Sequence, residues 1–157
     1  MSSVIISLLL LAAISTPQQV TKIVVTKSDH TMTLYHDQTK LQSYRVSLGS
    51  HSGPKQQAGD RKTPEGLYVV DAKNSTSRFH HAFHLSYPNA QDRARAEKLR
   101  VNTGGDIEIH GQMESLAWLG SLARHLDWTA GCIALTNDEI DQIWTIVPIG
   151  TPVEIKP

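Results

Sequence analysis

From Val20 onward the apolar residues recur with the period of strands, in runs too short for helices. Ile23-Val24-Val25 is followed by the turn residues Ser28-Asp29-His30, and Met32-Thr33-Leu34-Tyr35 then alternates apolar with polar. Ser43 to Leu48 reads as a third strand stopped by Gly49, and Leu67-Tyr68-Val69-Val70 as a fourth. Short strands separated by turn chemistry favour a mainly β fold, sandwich-like or barrel-like, over a parallel α/β core. At 157 residues the chain suffices for one well-buried domain and is too short for two ordinary ones.

Two or three short helices complete the expectation. Ala90 to Val101 reads as one, with Ala94, Ala96 and Leu99 as a thin apolar side and Asn102-Thr103-Gly104-Gly105-Asp106 ending it. Thr136 followed by Glu139 makes a capping box for another. Ile140, Ile143, Trp144 and Val147 then fall at i, i+3, i+4 and i+7, one apolar face, before Pro148 and Gly150 stop the helix. Val153 to Ile155 is a closing strand. Met113 to Leu126 is a short helix or a covering loop, Ser50 to Lys62 a loop, and Thr63-Pro64-Glu65-Gly66 a turn.

Charge narrows the partners. Fifteen Lys and Arg balance fifteen Asp and Glu, so no net field attracts nucleic acid or an anionic membrane. The basic residues of the first helix are interleaved with acids, which makes a solvated face. At the amino terminus, Val4 to Ile14 is an apolar run shorter than the ~20 residues a bilayer span needs. It predicts a secretory leader over residues 1–19, with Ala13-Ile14-Ser15 as a cleavage site, a domain over 20–157, and an exported mature protein with no stable membrane span. The alternative is a retained anchor or a poorly ordered tail.

The chain has a single cysteine, which excludes an intramolecular disulfide and a thiolate-rich zinc site. An unpaired cysteine in an exported protein needs a reason, and catalysis is one. Cys132 follows Gly131 in the turn Asp127-Trp128-Thr129-Ala130-Gly131-Cys132, with apolar residues resuming after it. His110 ends the alternating run Ile107-Glu108-Ile109 and precedes Gly111. A thiol on a turn and an imidazole at a strand end are the minimum parts for acyl transfer through a thioester. The imidazole can take the thiol proton and then protonate the leaving amine, and a third group fixes its ring. Gly131 lets a substrate carbonyl approach the main chain, and the N–H groups of Gly131 and Cys132 are candidates for the oxyanion. Trp118 and Trp128 offer aromatic surfaces near such a site. A buried structural cysteine and a packing histidine are the bland alternative.

Arg78-Phe79-His80-His81-Ala82-Phe83-His84 suggests a second chemistry. On a helix, His80 or His81 with His84 would make metal ligands; on a strand, His80 and His84 would share a face and flank a groove. No His-Glu-x-x-His pattern or carboxylate at ligand spacing accompanies them, so no metal or other cofactor is expected.

The cysteine and histidine segments together resemble the L,D-transpeptidase catalytic domain, the YkuD family. The resemblance rests on His110-Gly111 and on Thr129-Ala130-Gly131-Cys132. It extends to Gly59-Asp60-Arg61-Lys62-Thr63-Pro64-Glu65-Gly66-Leu67-Tyr68, to Leu85-Ser86-Tyr87-Pro88-Asn89 and to the closing Gly150-Thr151-Pro152-Val153-Glu154-Ile155. It implies a β-sandwich-like domain in which Cys132 attacks a peptidoglycan stem peptide and His110 is base and acid. The Gly111 carbonyl would orient the ring, Thr129 would brace the turn, and Tyr87, His84 and Trp128 would border the substrate. The product is a cross-link with an amine acceptor, or a trimmed stem peptide or released lipoprotein with water. A rival of another class is a non-catalytic wall-binding or His-cluster metal protein. One position departs from the pattern: the family's arginine two residues after the cysteine is Ala134 here, and Arg61, Lys62, Arg78 and Arg124 are the candidates to replace it.

Overall fold

The structure, a computed structural model, describes residues 18–113, 115 and 118–157. The expected leader therefore lies outside the described residues except for its last two, as does part of the Met113–Leu126 segment. Among the described residues, no helix is long and apolar enough to cross a membrane.

The strand-period runs become strands with the buried face on alternate residues. They are β1 (Lys22–Thr26), β2 (Thr31–His36), β3 (Thr39–Arg45), β4 (Gly66–Ser77), β5 (His80–Leu85), β6 (Glu108–His110), β7 (Ile133–Ala134) and β8 (Pro152–Lys156). In β1 and β2 the inward residues Ile23, Val25, Met32 and Leu34 are fully buried, as period-two alternation requires. The helices described are α1 (Ala90–Leu99) and α2 (Asn137–Trp144), with a 3-10 turn at Gly120–His125. The protein is mostly β with few helices, in agreement with the sequence.

The eight strands form one sheet in the order β3-β2-β1-β8-β4-β5-β6-β7. Its first and last strands in sequence meet at the centre: β1 pairs in parallel with β8, which pairs antiparallel with β4. The sheet curls. Past β3, Ser47 bridges to Ala134 of β7 and Gly49 bridges to Thr129, so the chain leaving one edge reaches the opposite edge. One apolar cluster drawn from β1, β2, β4, β5, β6, β7, β8 and α2 fills the space enclosed.

α2 behaves as its sequence predicts. Thr136 Oγ1 accepts from Glu139 N–H and the Glu139 carboxylate accepts from Thr136 N–H. Ile140, Ile143 and Val147 are fully buried, and Trp144 packs on Phe83 of β5 with ring centroids 5.0 Å apart. α1 corrects the reading. Its buried residues are Asp92 and Ala96, whereas Leu99 is half exposed. Asp92 closes a capping box with Asn89 and accepts from the Tyr68 hydroxyl at 3.0 Å and Arg95 at 2.7 Å, so a polar hub anchors this helix where an apolar stripe was expected. Arg100, at φ 56°, ends it in the left-handed conformation usually taken by glycine.

Candidate active site

Strand register brings the sulfur and the imidazole to one surface. β6 and β7 pair in parallel, Ile109 with Ile133 and His110 with Ala134. Ile109 and Ile133 are fully buried in the core. Successive side chains alternate, so Glu108, His110, Cys132 and Ala134 share the other face. Cys132, one residue before β7, is level with Glu108 and diagonal to His110. Both side chains line a cavity of about 830 Å³, together with Phe79, Trp128, Arg78 and Lys55.

The Cys132 turn is held from within and from behind. Thr129 Oγ1 donates to the Cys132 carbonyl at 2.7 Å and accepts from the Gly131 N–H at 3.1 Å. Gly131 has φ 133°, and a Cβ there would lie 2.7 Å from the Lys62 carbonyl oxygen. No side chain fits this position. The Lys62–Thr63 backbone thus presses on the back of the turn, and Thr63 Oγ1 accepts from Gly49 N–H. Asp127 ties the entrance of the turn to two distant segments, accepting from Leu48 N–H at 2.9 Å and meeting His30 Nε2 at 2.8 Å. Because Thr129 engages the Gly131 N–H, only the Cys132 N–H is without an intramolecular partner of the two expected oxyanion donors, among the described residues.

His110 is 1% exposed. Its Nδ1 lies 2.6 Å from the Gly111 carbonyl; a carbonyl accepts only, so Nδ1 carries the proton and Nε2 keeps its lone pair. Phe79 stacks on the ring at 4.2 Å and 19°, and Trp128 tilts toward it at 5.9 Å. The Arg78 guanidinium lies 4.7 Å above Phe79 on its own chain segment. Imidazole, phenyl and guanidinium thus lie in sequence along the cavity wall.

Both side chains rest neutral. Burial pushes the His110 pKa down to about 4, with Arg78 adding to the shift and the Gly111 carbonyl opposing it. Burial pushes the Cys132 thiol up to about 11; a backbone hydrogen bond at Glu108 opposes this, and the Glu108 and Asp106 carboxylates add to it. The thiol donates to the Asp106 carbonyl at 3.5 Å, a contact that only the protonated form makes. At neutral pH the pair is therefore thiol and imidazole rather than thiolate and imidazolium, and the imidazole is free to act as a base.

The loop between Lys55 and Arg61 forms another part of the cavity wall. Asp60 organises it, accepting from the N–H groups of Gln56, Gln57 and Lys62 and from Lys55 Nζ at 2.8 Å. Burial alone would raise its pKa, but these bonds hold it at about 2. Of the other residues expected at the site, Thr129 and Trp128 line the cavity. Tyr87 does not; it is 4% exposed, packs edge-on against Tyr68 and donates to the Thr103 carbonyl. His84 is set aside from the cavity, 2.5 Å from Asp71 and 4.0 Å from Asp106. The sequence reading missed Phe79 and Lys55, because stacking on His110 and the approach of the Asp60 loop are long-range contacts with no local signal.

Ala134 is 2% exposed, paired with His110 on one side and bridged to Ser47 on the other. An arginine has no room there. Of the proposed replacements, Arg124 is held by Glu139 at 2.5 Å, while Arg61 and Arg78 line the cavity. Lys62 is not among the residues lining the cavity and Arg61 is tied to Ser50 Oγ at 2.6 Å, which leaves Arg78 facing the cavity with no ion pair among the described residues.

Comparison with known proteins agrees with this fold. The family profile described as the L,D-transpeptidase catalytic domain (YkuD) matches residues 20–155. A curated relative in Escherichia coli K12, named "Putative L,D-transpeptidase YafK", is 34% identical over 128 residues, covering 77% of this chain and 44% of its own. The crystal structure of the helical cell shape determining protein Pgp2 from Campylobacter jejuni matches with a TM-score of 0.67 at 27% identity, covering 90% of this chain and 49% of Pgp2. L,D-transpeptidase 1 from Mycobacterium tuberculosis shares the fold at 18% identity, with a TM-score of 0.53 over 86% of this chain and 60% of its own. The chain thus spans about half the length of the first two. With the family profile covering nearly the whole described domain, the chain belongs to the L,D-transpeptidase catalytic domain (YkuD) family.

Proposed function

We propose that this chain catalyses acyl transfer on peptidoglycan stem peptides through a thioester on Cys132. The observation that carries the proposal is a single cavity holding the only cysteine beside an imidazole whose Nδ1 is committed to the Gly111 carbonyl, leaving Nε2 as the base. Cys132 Sγ attacks the amide carbon following an L,D-configured residue while its proton passes to His110 Nε2. The Cys132 N–H donates to the developing oxyanion. Collapse breaks the C–N bond, His110 returns the proton to the departing D-amino acid, and the acyl group remains on sulfur. An amine acceptor then attacks the thioester, losing its proton to His110, and the thiol is released.

The remaining roles follow from position. Thr129 keeps the turn in shape through its two hydrogen bonds. Gly131 provides closeness to the Lys62 backbone rather than an oxyanion donor. Arg78 is the cation placed to receive the substrate carboxylate that the family's missing arginine would otherwise address. Trp128 forms an apolar wall. A protein acting on this substrate works in the cell envelope, in keeping with the exported leader expected from the sequence, and the likeness to Pgp2, a helical cell shape determining protein, supports a part in cell shape.

Incubation of the purified chain with muropeptides, followed by product analysis, tests the proposal. Cross-linked dimers, or exchange of the terminal D-amino acid, are expected. Trimmed monomers with no dimer would make it a hydrolase on the same cysteine. Unchanged muropeptides would contradict both.

A further inference from the structure

We propose that His80, His81 and Asp141 form a site for a divalent transition-metal ion, zinc or a similar imidazole-seeking cation. Neighbouring residues in a strand send their side chains to opposite faces, yet His80 Nε2 and His81 Nδ1 both reach Asp141 Oδ1, at 2.7 and 2.8 Å. The cause is local. His80 has φ 72° at the end of the β4–β5 hairpin, where the register slips between Asn74 and Ser77. A non-glycine residue in that region is uncommon and stores strain. Here it turns two adjacent imidazoles onto one carboxylate of α2.

The three candidate ligand atoms lie within 4.8 Å of one another. Metal–ligand bonds of about 2.0–2.2 Å would hold tetrahedral ligand atoms roughly 3.4 Å apart. The contacts of 2.7 and 2.8 Å to Asp141 thus need to open by about 0.6–0.7 Å, within reach of side chains exposed at 38% for His80 and 48% for Asp141. The imidazoles bind as neutral ligands, each keeping its N–H on the far nitrogen. His81 is already oriented by stacking on Trp144 at 4.4 Å and 12°, which lowers the cost of ordering it. The exposed side leaves a path of entry and a place for water as fourth ligand. Two imidazoles and a carboxylate suit zinc, nickel or copper better than calcium or magnesium. His84, which sequence spacing grouped with this cluster, is not a ligand; it pairs with Asp71.

The ion would fasten the tip of the β4–β5 hairpin to α2. Phe79, which stacks on His110, directly precedes His80 on that hairpin, so the site is a positioning device near the cavity rather than part of the chemistry. It stands independently of the acyl-transfer reading. Equilibrium dialysis of tag-free protein against zinc tests it, with cobalt absorption as a second readout. One equivalent is expected to bind, to survive in Cys132→Ala and His84→Ala, and to weaken tenfold or more in His80→Ala and Asp141→Asn. Bound cobalt should show the intense visible bands of a four-coordinate site in the wild type, Cys132→Ala and His84→Ala, and lose them in His80→Ala and Asp141→Asn. No saturable zinc uptake by the wild type, or uptake abolished by Cys132→Ala and unchanged in His80→Ala, would overturn the proposal. His80 and Asp141 are both exposed, so these variants keep the fold and circular dichroism verifies it.

Discussion

A Cβ at Gly111 would lie 2.6 Å from Asn137 Oδ1, 2.8 Å from the Phe79 carbonyl oxygen and 3.2 Å from Ile140 Cγ2. Two elements, α2 and the β4–β5 turn, therefore close on the residue whose carbonyl orients His110. Gly111→Ala should destabilise the fold by roughly 1–3 kcal/mol and lower kcat at least tenfold with a smaller change in KM. Steady-state kinetics with urea unfolding measures both, and an unaltered kcat would separate the Gly111 carbonyl from the chemistry. The resting protonation state is a second matter of single residues. With the thiol at about 11 and the imidazole at about 4, iodoacetamide should alkylate Cys132 slowly at neutral pH. The rate should climb as pH rises above the ordinary thiol range. A rate already at plateau near pH 6 would indicate a preformed ion pair.

At the scale of elements, the local sequence signals were strong where chemistry and burial coincide. Thr136 and Glu139 announce the start of α2, and Ile140, Ile143 and Val147 announce its buried face, because capping and packing act within two turns of chain. Thr136→Ala should lower stability by about 1 kcal/mol through the lost cap, read as a lower Tm with unchanged near-neutral activity. A drop several times larger would mean that the cap also holds the Cys132 strand. α1 was legible as a helix but not in its anchoring, since Asp92 is buried only by partners from elsewhere, Tyr68 among them. The His80–His84 stretch misled for a related reason. Helical or ideal-strand spacing assumes ordinary φ, whereas the left-handed conformation of His80 decides which histidines meet.

For the molecule as a whole, strand content and the Cys132–His110 pair were readable, while sheet order was not. The parallel pairings of β1 with β8 and of β6 with β7 join segments whose sequence patterns carry no mutual register. Placing His110 in the enclosed sheet has a global consequence. Its folded pKa of about 4 lies below the ordinary 6.5, so the unfolded chain holds more protons between these values. The contribution is fully present above pH 6.5 and is lost as pH falls to about 4, amounting to about 3 kcal/mol. Urea unfolding at several pH values should show this loss in wild type and a shallower slope in His110→Asn. Equal slopes would place the acid sensitivity elsewhere.

On the proposed function, one sulfur, served by His110, takes an acyl group. Intact mass after incubation with imipenem measures that directly, because the strained β-lactam carbonyl acylates an activated thiol and the ring-opened product stays attached. The wild type should gain the mass of one imipenem, His110→Ala should gain it far more slowly, and Cys132→Ala should gain none. An unmodified wild type, or equal labelling of Cys132→Ala, would contradict the account.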